Sequence, residues 1–161
     1  MNDIRFKEAN TAEEIEQIHR LNHQVFAEEV GQHPQTADGR LIDRFHLRNR
    51  YFIATQGDLV VGMISVHDGP DFSVESRLKD VSVLRALRAP LEVRLLAIRP
   101  EYRNRSILLG LGWMMWRYAV EHRLFHFSQF SPVNPFEISE RNSLTALAAG
   151  TEVRHVPPLK R

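Results

Sequence analysis

A short basic turn between an apolar strand and a long apolar helix is the segment best suited to chemistry. Residues 91–98 form the apolar strand, and Arg103 to Ser106 read Arg-Asn-Arg-Ser directly before the helical period begins. The first N–H groups of a helix have no partner within it, and the helix dipole is positive there. The turn therefore predicts a site for an anion, with a phosphate-bearing cofactor as the first candidate.

An acidic residue, Glu92, stands at the start of the same strand. Side chains alternate along a strand, so Glu92, Arg94, Leu96 and Ile98 are predicted to share one face, opposite residues 93, 95 and 97. A carboxylate at this place could accept the proton of an ammonium group, directly or through water. A solvated carboxylate that merely pairs with Arg94 is the alternative.

Composition limits the classes of function that the chain can have. The 161 residues are 43% hydrophobic and 25% charged, which predicts one α/β domain over residues 1–161. A net charge of +1 without basic runs argues against nucleic-acid binding, and the lack of cysteine excludes disulfides and thiolate sites.

Two further features concern location and metals. The sequence has no apolar run long enough to cross a bilayer and begins with a polar segment, so a cytoplasmic location is expected. His19 and His23 lie one helical turn apart, but Arg20 stands where a zinc protease has Glu. No metal site is therefore expected.

The elements that must position these residues follow from periodicity and from Gly and Pro breaks. The first half predicts a strand from Ile4 to about Ala9, a helix capped by Asn10 or Thr11 that ends near Gly31, a helix over Gly39–Leu47, and a hairpin of residues 51–55 and 59–66. The second half predicts an inserted helix within Pro70–Pro90 capped by Ser73, a strand over 92–98 and a helix to about His122. The apolar stripe of that last helix comprises Ile107, Leu108, Leu111, Met114, Met115 and Tyr118. A strand over 124–130, a helix over Phe136–Ala149 and a short strand over Val153–Val156 are predicted to follow.

This order and the basic turn resemble the GNAT superfamily of N-acyltransferases. In that family a Pro-Glu-Tyr-Arg-like turn is followed by Arg-x-x-Gly-x-Gly or a close variant, and Pro100–Leu108 aligns with it. Arg103 takes the leading basic position, whereas the two glycine positions fall on Ser106 and Leu108. Side chains there narrow the cradle for a pyrophosphate. Asn134 matches an Asn-bearing turn of the family, but no tyrosine follows Tyr118 to act as a general acid.

The front half is similar to one branch of this superfamily. His19 to Gly31 resembles a helix of acyl-homoserine-lactone synthases and long-chain N-acyl amino acid synthases, which also have an Asp near the position of Asp43. The Pro70–Pro90 segment corresponds to their insertion between the third and fourth strands. Their strand pattern Glu-x-Ser-Arg-Leu-Ala-Val becomes Glu92-Val-Arg-Leu-Leu-Ala-Ile here, which keeps the acid and moves or loses the arginine.

The resemblance implies an α/β (α+β) fold with a central mixed, mostly antiparallel sheet, splayed at the fourth and fifth strands and flanked by helices. It also implies transfer of an acyl group from acyl-CoA or the acyl-phosphopantetheine of an acyl carrier protein to the amine of a small amino-acid-like acceptor. Glu92 is the implied catalytic base. The implied cofactor-binding residues are Leu96, Ala97, Ile98, Arg103, Asn104, Arg105, Ser106, Ile107, Leu108 and Asn134, and the implied substrate-binding residues are Phe26, Glu29 and Arg94.

Two alternatives stay open at this point. One is an N-acetyltransferase that uses acetyl-CoA, and the other is a GNAT-fold module that binds an acyl ligand or a partner without turnover. The acyl carrier protein and a homodimer are the partners compatible with the resemblance. A thioester-consumption assay separates an enzyme from a binding module.

Overall fold

A five-stranded sheet in the order β1-β2-β3-β4-β5 organises the part of the chain that the computed structural model describes, residues 3–103, 105–124 and 126–129. The first four strands pair antiparallel, and β5 pairs parallel to β4. The strands are β1 (Ile4–Glu8), β2 (Arg50–Gln56), β3 (Leu59–His67), β4 (Pro90–Ile98) and β5 (His126–Gln129). The predicted mixed, mostly antiparallel sheet is therefore confirmed.

The first helix packs on one face of the sheet. Helix α1 (Ala12–Asn22) begins with a capping box, in which the Glu14 amide donates to Thr11 Oγ1 and the Glu14 carboxylate accepts from the Thr11 amide. The chain continues as a π-helical segment, His23–Glu29, and turns at Gly31 with a φ of +69°. The buried apolar side chains of α1, including Ile18 and Leu21, pack on the sheet. The predicted cap and end of this helix are confirmed.

The opposite face of the sheet is covered by helix α3 (Arg105–Glu121). Four residues of the predicted apolar stripe are buried, namely Ile107, Leu111, Met114 and Tyr118. Leu108 was also predicted on this stripe, but it is 48% exposed. The helix lies so close to the sheet that a Cβ added to Gly62 would be 3.1 Å from Ile107.

Two predicted helices are wrong. Residues 39–47 are irregular apart from a 3₁₀ turn that begins at His46 (His46–Arg48), because Gly39 has a φ of +64° and the Thr36 side chain closes a turn with Arg40. The Pro70–Pro90 insertion divides into a 3₁₀ turn (Ser73–Arg77) and one turn of helix, α2 (Ser82–Arg85). Ser73 caps no helix, because its amide and hydroxyl both donate to Glu92.

Some predictions lie outside the described residues. These are the helix over Phe136–Ala149, the strand over Val153–Val156, and the splay of β4 from β5 beyond the Val93–Gln129 pair. The single domain over residues 1–161 stays a prediction. Within the described ranges, no helix is long and apolar enough to cross a bilayer.

Two glycines of α3 provide a matched test of how this helix packs. A Cβ on Gly110 would lie 2.1 Å from the Phe6 ring, whereas a Cβ on Gly112 would meet nothing within 4 Å. Gly110→Ala is expected to lower the free energy of unfolding by about 1–3 kcal/mol through overpacking. Gly112→Ala is expected to raise it by up to about 1 kcal/mol through helix propensity. Urea unfolding measures both, and equal effects of the two variants would contradict the described packing of α3 on β1.

Candidate active site

A β-bulge at Arg94 changes the faces that the side chains of β4 occupy. Val93 pairs with Val66 and Leu95 pairs with Ser65, so Arg94 is the extra residue. Val93 packs in the core on the α3 side, whereas Leu95 packs on the α1 side. The predicted strict alternation is therefore wrong beyond Val93. Bulges of this kind redirect side chains and occur frequently next to active sites.

Glu92 is fully buried at the start of β4, with 0% exposure. Its oxygens accept hydrogen bonds from the Ser73 amide (3.0 Å), the Ser73 hydroxyl (2.5 Å) and the Val74 amide (3.3 Å). The guanidinium of Arg94 lies 3.6 Å from Oε2. Glu92 is thus a buried acceptor that holds the start of the insertion, rather than a solvated strand-end acid.

Arg94 forms the second part of this polar cluster. Its guanidinium makes a two-point contact with Asp43, with Nε at 3.1 Å and Nη2 at 2.8 Å from the carboxylate oxygens. Each of these side chains is only 9% exposed. Arg94 also lies 4.3 Å above the centre of the Phe45 ring. The bulge therefore directs Arg94 into the interior, where it connects Glu92 to Asp43.

The cluster continues from Asp43 toward α1. Asn49 donates to Asp43 at 2.5 Å and to the Tyr51 hydroxyl at 3.3 Å, and His46 Nδ1 lies 3.2 Å from the same hydroxyl. Burial, with a contribution from the Asp43 charge, raises the pKa of Tyr51 to about 12. The Tyr51 phenol therefore keeps its proton at neutral pH.

His19 closes this chain, with its Nε2 lying 3.4 Å from His46 Nδ1. Burial, together with the electrostatic effects of His46 and Arg40, lowers the pKa of His19. A low pKa favours the neutral imidazole, which carries one donor and one acceptor.

An open cavity of about 400 Å³ is lined by Ser73, the residue whose hydroxyl donates to Glu92. Phe45 and Phe72 provide apolar walls, and Arg44 and Arg48 provide positive charge. Through Ser73, the cavity has a polar connection to the buried carboxylate.

At the other end of β4, two backbone amides point away from β3, to the side on which β5 pairs with the start of the strand. The Arg99 amide donates to the Val61 carbonyl, and antiparallel hydrogen bonds alternate, so the amides of Leu96 and Ile98 point away from β3. The Ala97 amide by the same alternation points toward β3. Leu96, Ala97 and Ile98 are the strand residues predicted to bind the cofactor. Leu96 and Ile98 thus offer amide donors on the side where β5 pairs, and Ala97 does not.

The basic turn begins with a 3₁₀ turn (Pro100–Tyr102), and α3 begins at Arg105. The guanidinium of Arg103 donates to the Ile98 carbonyl at 3.0 Å and forms an ion pair with Glu29. A predicted cofactor residue is thus joined to a predicted substrate residue.

The first turn of α3 presents exposed side chains at Ser106 and Leu108, whereas the Ile107 side chain is buried in the core. Ile107 can therefore contact a cofactor through its backbone alone. Asn104, the Arg105 side chain and Asn134 lie outside the described residues.

The predicted site residues fall into two groups at opposite ends of β4. Glu92 and Arg94 lie at the bulge end, while Leu96, Ile98, Arg103, Ser106 and Glu29 lie near the basic turn. Phe26 is half-buried and packs against the α1-side core. Among the described residues, no group of three His, Cys, Asp or Glu side chains could hold a metal ion.

Sequence reasoning missed the role of Ser73 and the cavity beside it. Ser73 was interpreted as a helix cap because it precedes a helical period, and no pattern linked it to a carboxylate 19 residues later. Asp43 was noted only through the resemblance, and its buried contact with Arg94 joins residues 51 positions apart.

Comparison with models of protein families identifies the family to which this chain belongs. The model of the acetyltransferase (GNAT) domain family matches residues 21–113, which include β2, β3, β4 and the first half of α3. The chain belongs to the GNAT family. Its membership makes it an acyltransferase by family, and the fold agrees with this assignment. No curated protein is similar enough in sequence to match.

Several solved structures share this fold. The acyl-homoserine-lactone synthase LasI superimposes with a TM-score of 0.64 at 16% identity, over 88% of this chain and 78% of that one. BjaI, a CoA-dependent acyl-homoserine lactone synthase, superimposes with a TM-score of 0.61 at 20% identity, over 78% of this chain and 63% of that one. The aminoglycoside acetyltransferase meta-AAC0020 from an uncultured soil metagenomic sample superimposes with a TM-score of 0.53 at 12% identity, over 98% of this chain and 97% of that one. Both the acetyltransferase and the lactone-synthase branches are thus represented.

Proposed function

We propose that this GNAT protein transfers an acyl group from a pantetheine thioester to the amine of a small amino-acid-like acceptor. The observation that carries the proposal is the arrangement along β4. Backbone donors of Leu96 and Ile98 lie at one end beside the start of α3, and a buried carboxylate connected to a cavity lies at the other. N-acyl transfer requires donors that bind the thioester arm and an acceptor for the amine's proton beside the reacting carbon, so the arm would run along β4 from Leu96 and Ile98 toward the bulge.

The donor substrate is assigned to the β5 side of β4. The amides of Leu96 and Ile98 would bind the pantetheine arm, and the first turn of α3 would bind phosphate at the positive end of the helix dipole. Arg103 would bind phosphate as well if its guanidinium left Glu29, which now competes for it.

An acceptor that binds as an ammonium loses two protons: the first goes to the base and frees the nitrogen lone pair, and the second leaves the nitrogen as the amide forms and protonates the thiolate. The amine nitrogen attacks the thioester carbon, the amide bond forms, and the C–S bond breaks as the thiolate leaves and takes up a proton. We assign Glu92 as the base and place Ser73 between it and the acceptor. The Ser73 hydroxyl accepts the amine's proton while it passes its own proton to Glu92 Oε1 over 2.5 Å.

Acyl-CoA is the donor that we favour, and BjaI, which is described with isopentyl-CoA, supports this choice. An acyl carrier protein is the second candidate. Ser106 and Leu108 stand where the family motif has glycine, and both are exposed on the first turn of α3. A carrier protein presents one phosphate on each pantetheine arm, so it requires fewer phosphate contacts from the start of α3 than the pyrophosphate of CoA does. A homodimer and a cytoplasmic location stay predictions.

A thioester-consumption assay tests the proposed function. The full chain would be incubated with acetyl-, butyryl-, octanoyl- and palmitoyl-CoA, and with the same acyl groups on an acyl carrier protein, each with a panel of L-amino acids. We expect amine-dependent release of free thiol and an N-acyl product visible by mass spectrometry. Thiol release that does not depend on any amine, or none at all with every donor, would contradict the proposal.

A further inference from the structure

The cavity beside Ser73 has opposite charges on its walls. The side of residues 44–48 contributes Arg44 and Arg48, and the insertion contributes Asp71 and Glu75. Arg48 and Asp71 form an exposed ion pair at 2.8 Å across the cavity. A site with both signs of charge suits a ligand that itself carries both, rather than a simple anion or cation.

Arg44 is the cation of this cavity that is available to a ligand. Its guanidinium lies 4.6 Å from the centre of the Phe45 ring, and no carboxylate among the described residues pairs with it. The Arg94 guanidinium also lies over the Phe45 ring, 4.3 Å from its centre. Contact with this ring therefore holds Arg44 at the cavity wall.

The anionic side of the cavity is held in a defined shape. Asp71 has a φ of +64°, an unfavourable conformation for a residue other than glycine. The Glu75 carboxylate accepts a hydrogen bond from the Phe72 amide at 3.0 Å. Ser73, the residue after Phe72, lies on the same side and donates its hydroxyl to Glu92. The anionic side of the cavity therefore leads to the proposed base.

From these contacts we infer that the cavity binds a free α-amino acid as a zwitterion. Arg44 binds the carboxylate, Glu75 binds the ammonium group, and Phe45 and Phe72 contact an apolar side chain. A volume of about 400 Å³ is in the range of small-ligand sites. This inference rests on the proposed function, because it makes the cavity the acceptor site of the transfer.

Binding without turnover tests the inference. The full chain, with no thioester present, would be titrated calorimetrically with each of the twenty standard L-amino acids, and with the methyl ester and the N-acetyl derivative of the tightest binder. We expect at least one apolar amino acid to bind. We expect both derivatives to bind at least about tenfold more weakly, since each lacks one charged group that the cavity would bind.

Two arginine variants provide the matched comparison. Arg44→Gln is expected to weaken binding of the free amino acid about tenfold or more, while leaving the already weak methyl ester unchanged. Arg85→Gln removes an exposed arginine of the Pro70–Pro90 insertion that does not line the cavity, and it should change binding less than twofold. Absence of binding by every amino acid, or equal effects of the two variants, would overturn the inference.

These outcomes are separate from those of the transferase assay. A chain that binds an amino acid through Arg44 but never consumes a thioester would refute the proposed function and keep the site. A chain that acylates an amine with the same acceptor KM in the wild type and in Arg44→Gln would keep the function and refute the site.

Discussion

Asp43→Ala is expected to lower the free energy of unfolding by about 3–5 kcal/mol, because it leaves the buried Arg94 guanidinium without its main partner. Asp43 accepts two hydrogen bonds from Arg94 and one from Asn49, so the change leaves several donors unpaired. Glu92 at 3.6 Å compensates for part of this loss. Urea unfolding monitored by circular dichroism measures the effect.

Asp58→Ala is the control for this variant, since Asp58 is an exposed residue of the β2–β3 turn. It should change the free energy of unfolding by no more than about 0.5 kcal/mol. If Asp43→Ala were as mild as Asp58→Ala, the described contact between Asp43 and Arg94 would not stabilise the folded chain. Arg94→Lys should also be destabilising, because an ammonium group cannot reproduce the two-point contact.

Glu92→Gln is expected to lower kcat by about 10²–10⁴-fold, which is the usual contribution of a general base, while the KM for the thioester donor stays nearly constant. The donor is assigned to the opposite end of β4, so its binding should not depend on this carboxylate. Steady-state kinetics with the best donor and acceptor from the thioester assay measure both constants.

A purely structural role for Glu92 must be separated from the base role, because Glu92 also holds the insertion through Ser73 and Val74. The pH profile of kcat distinguishes the two. If Glu92 is the base, the variant loses the acid limb of the profile that the wild type shows. If the wild type and Glu92→Gln keep the same profile shape, the base assignment is wrong. Glu13→Gln, in the exposed first turn of α1, controls for loss of a carboxylate.

The sheet and its two large helices could be predicted from local sequence signals. Thr11 and Glu14 form a capping box, and Gly57 with a φ of +60° permits the hairpin turn between β2 and β3. The apolar stripe of α3 could be predicted because apolar residues recur at helical spacing from Ile107 to Tyr118. Each of these signals acts over a few residues, and the tertiary structure did not override them.

The insertion and the arrangement of the site could not be predicted in the same way. The helical period in Pro70–Pro90 was overridden by the hydrogen bonds from Ser73 and Val74 to Glu92, which join distant residues. The bulge at Arg94 arises from pairing with β3 and from the contact with Asp43. The sequence identified Glu92 and Arg94 as polar members of an apolar strand, but burial and partners became visible only in the structure.

The β4 amides and the start of α3 form the proposed binding site for the pantetheine donor. Two-dimensional ¹H–¹⁵N NMR of the full chain during titration with coenzyme A tests it most directly. Saturable shifts of the Leu96, Ile98 and Ser106 amides, with the Gly57 amide of the hairpin turn unchanged, are the predicted result. Saturable shifts confined to other residues, or no shifts at millimolar coenzyme A and acyl-pantetheine, would contradict the proposed site.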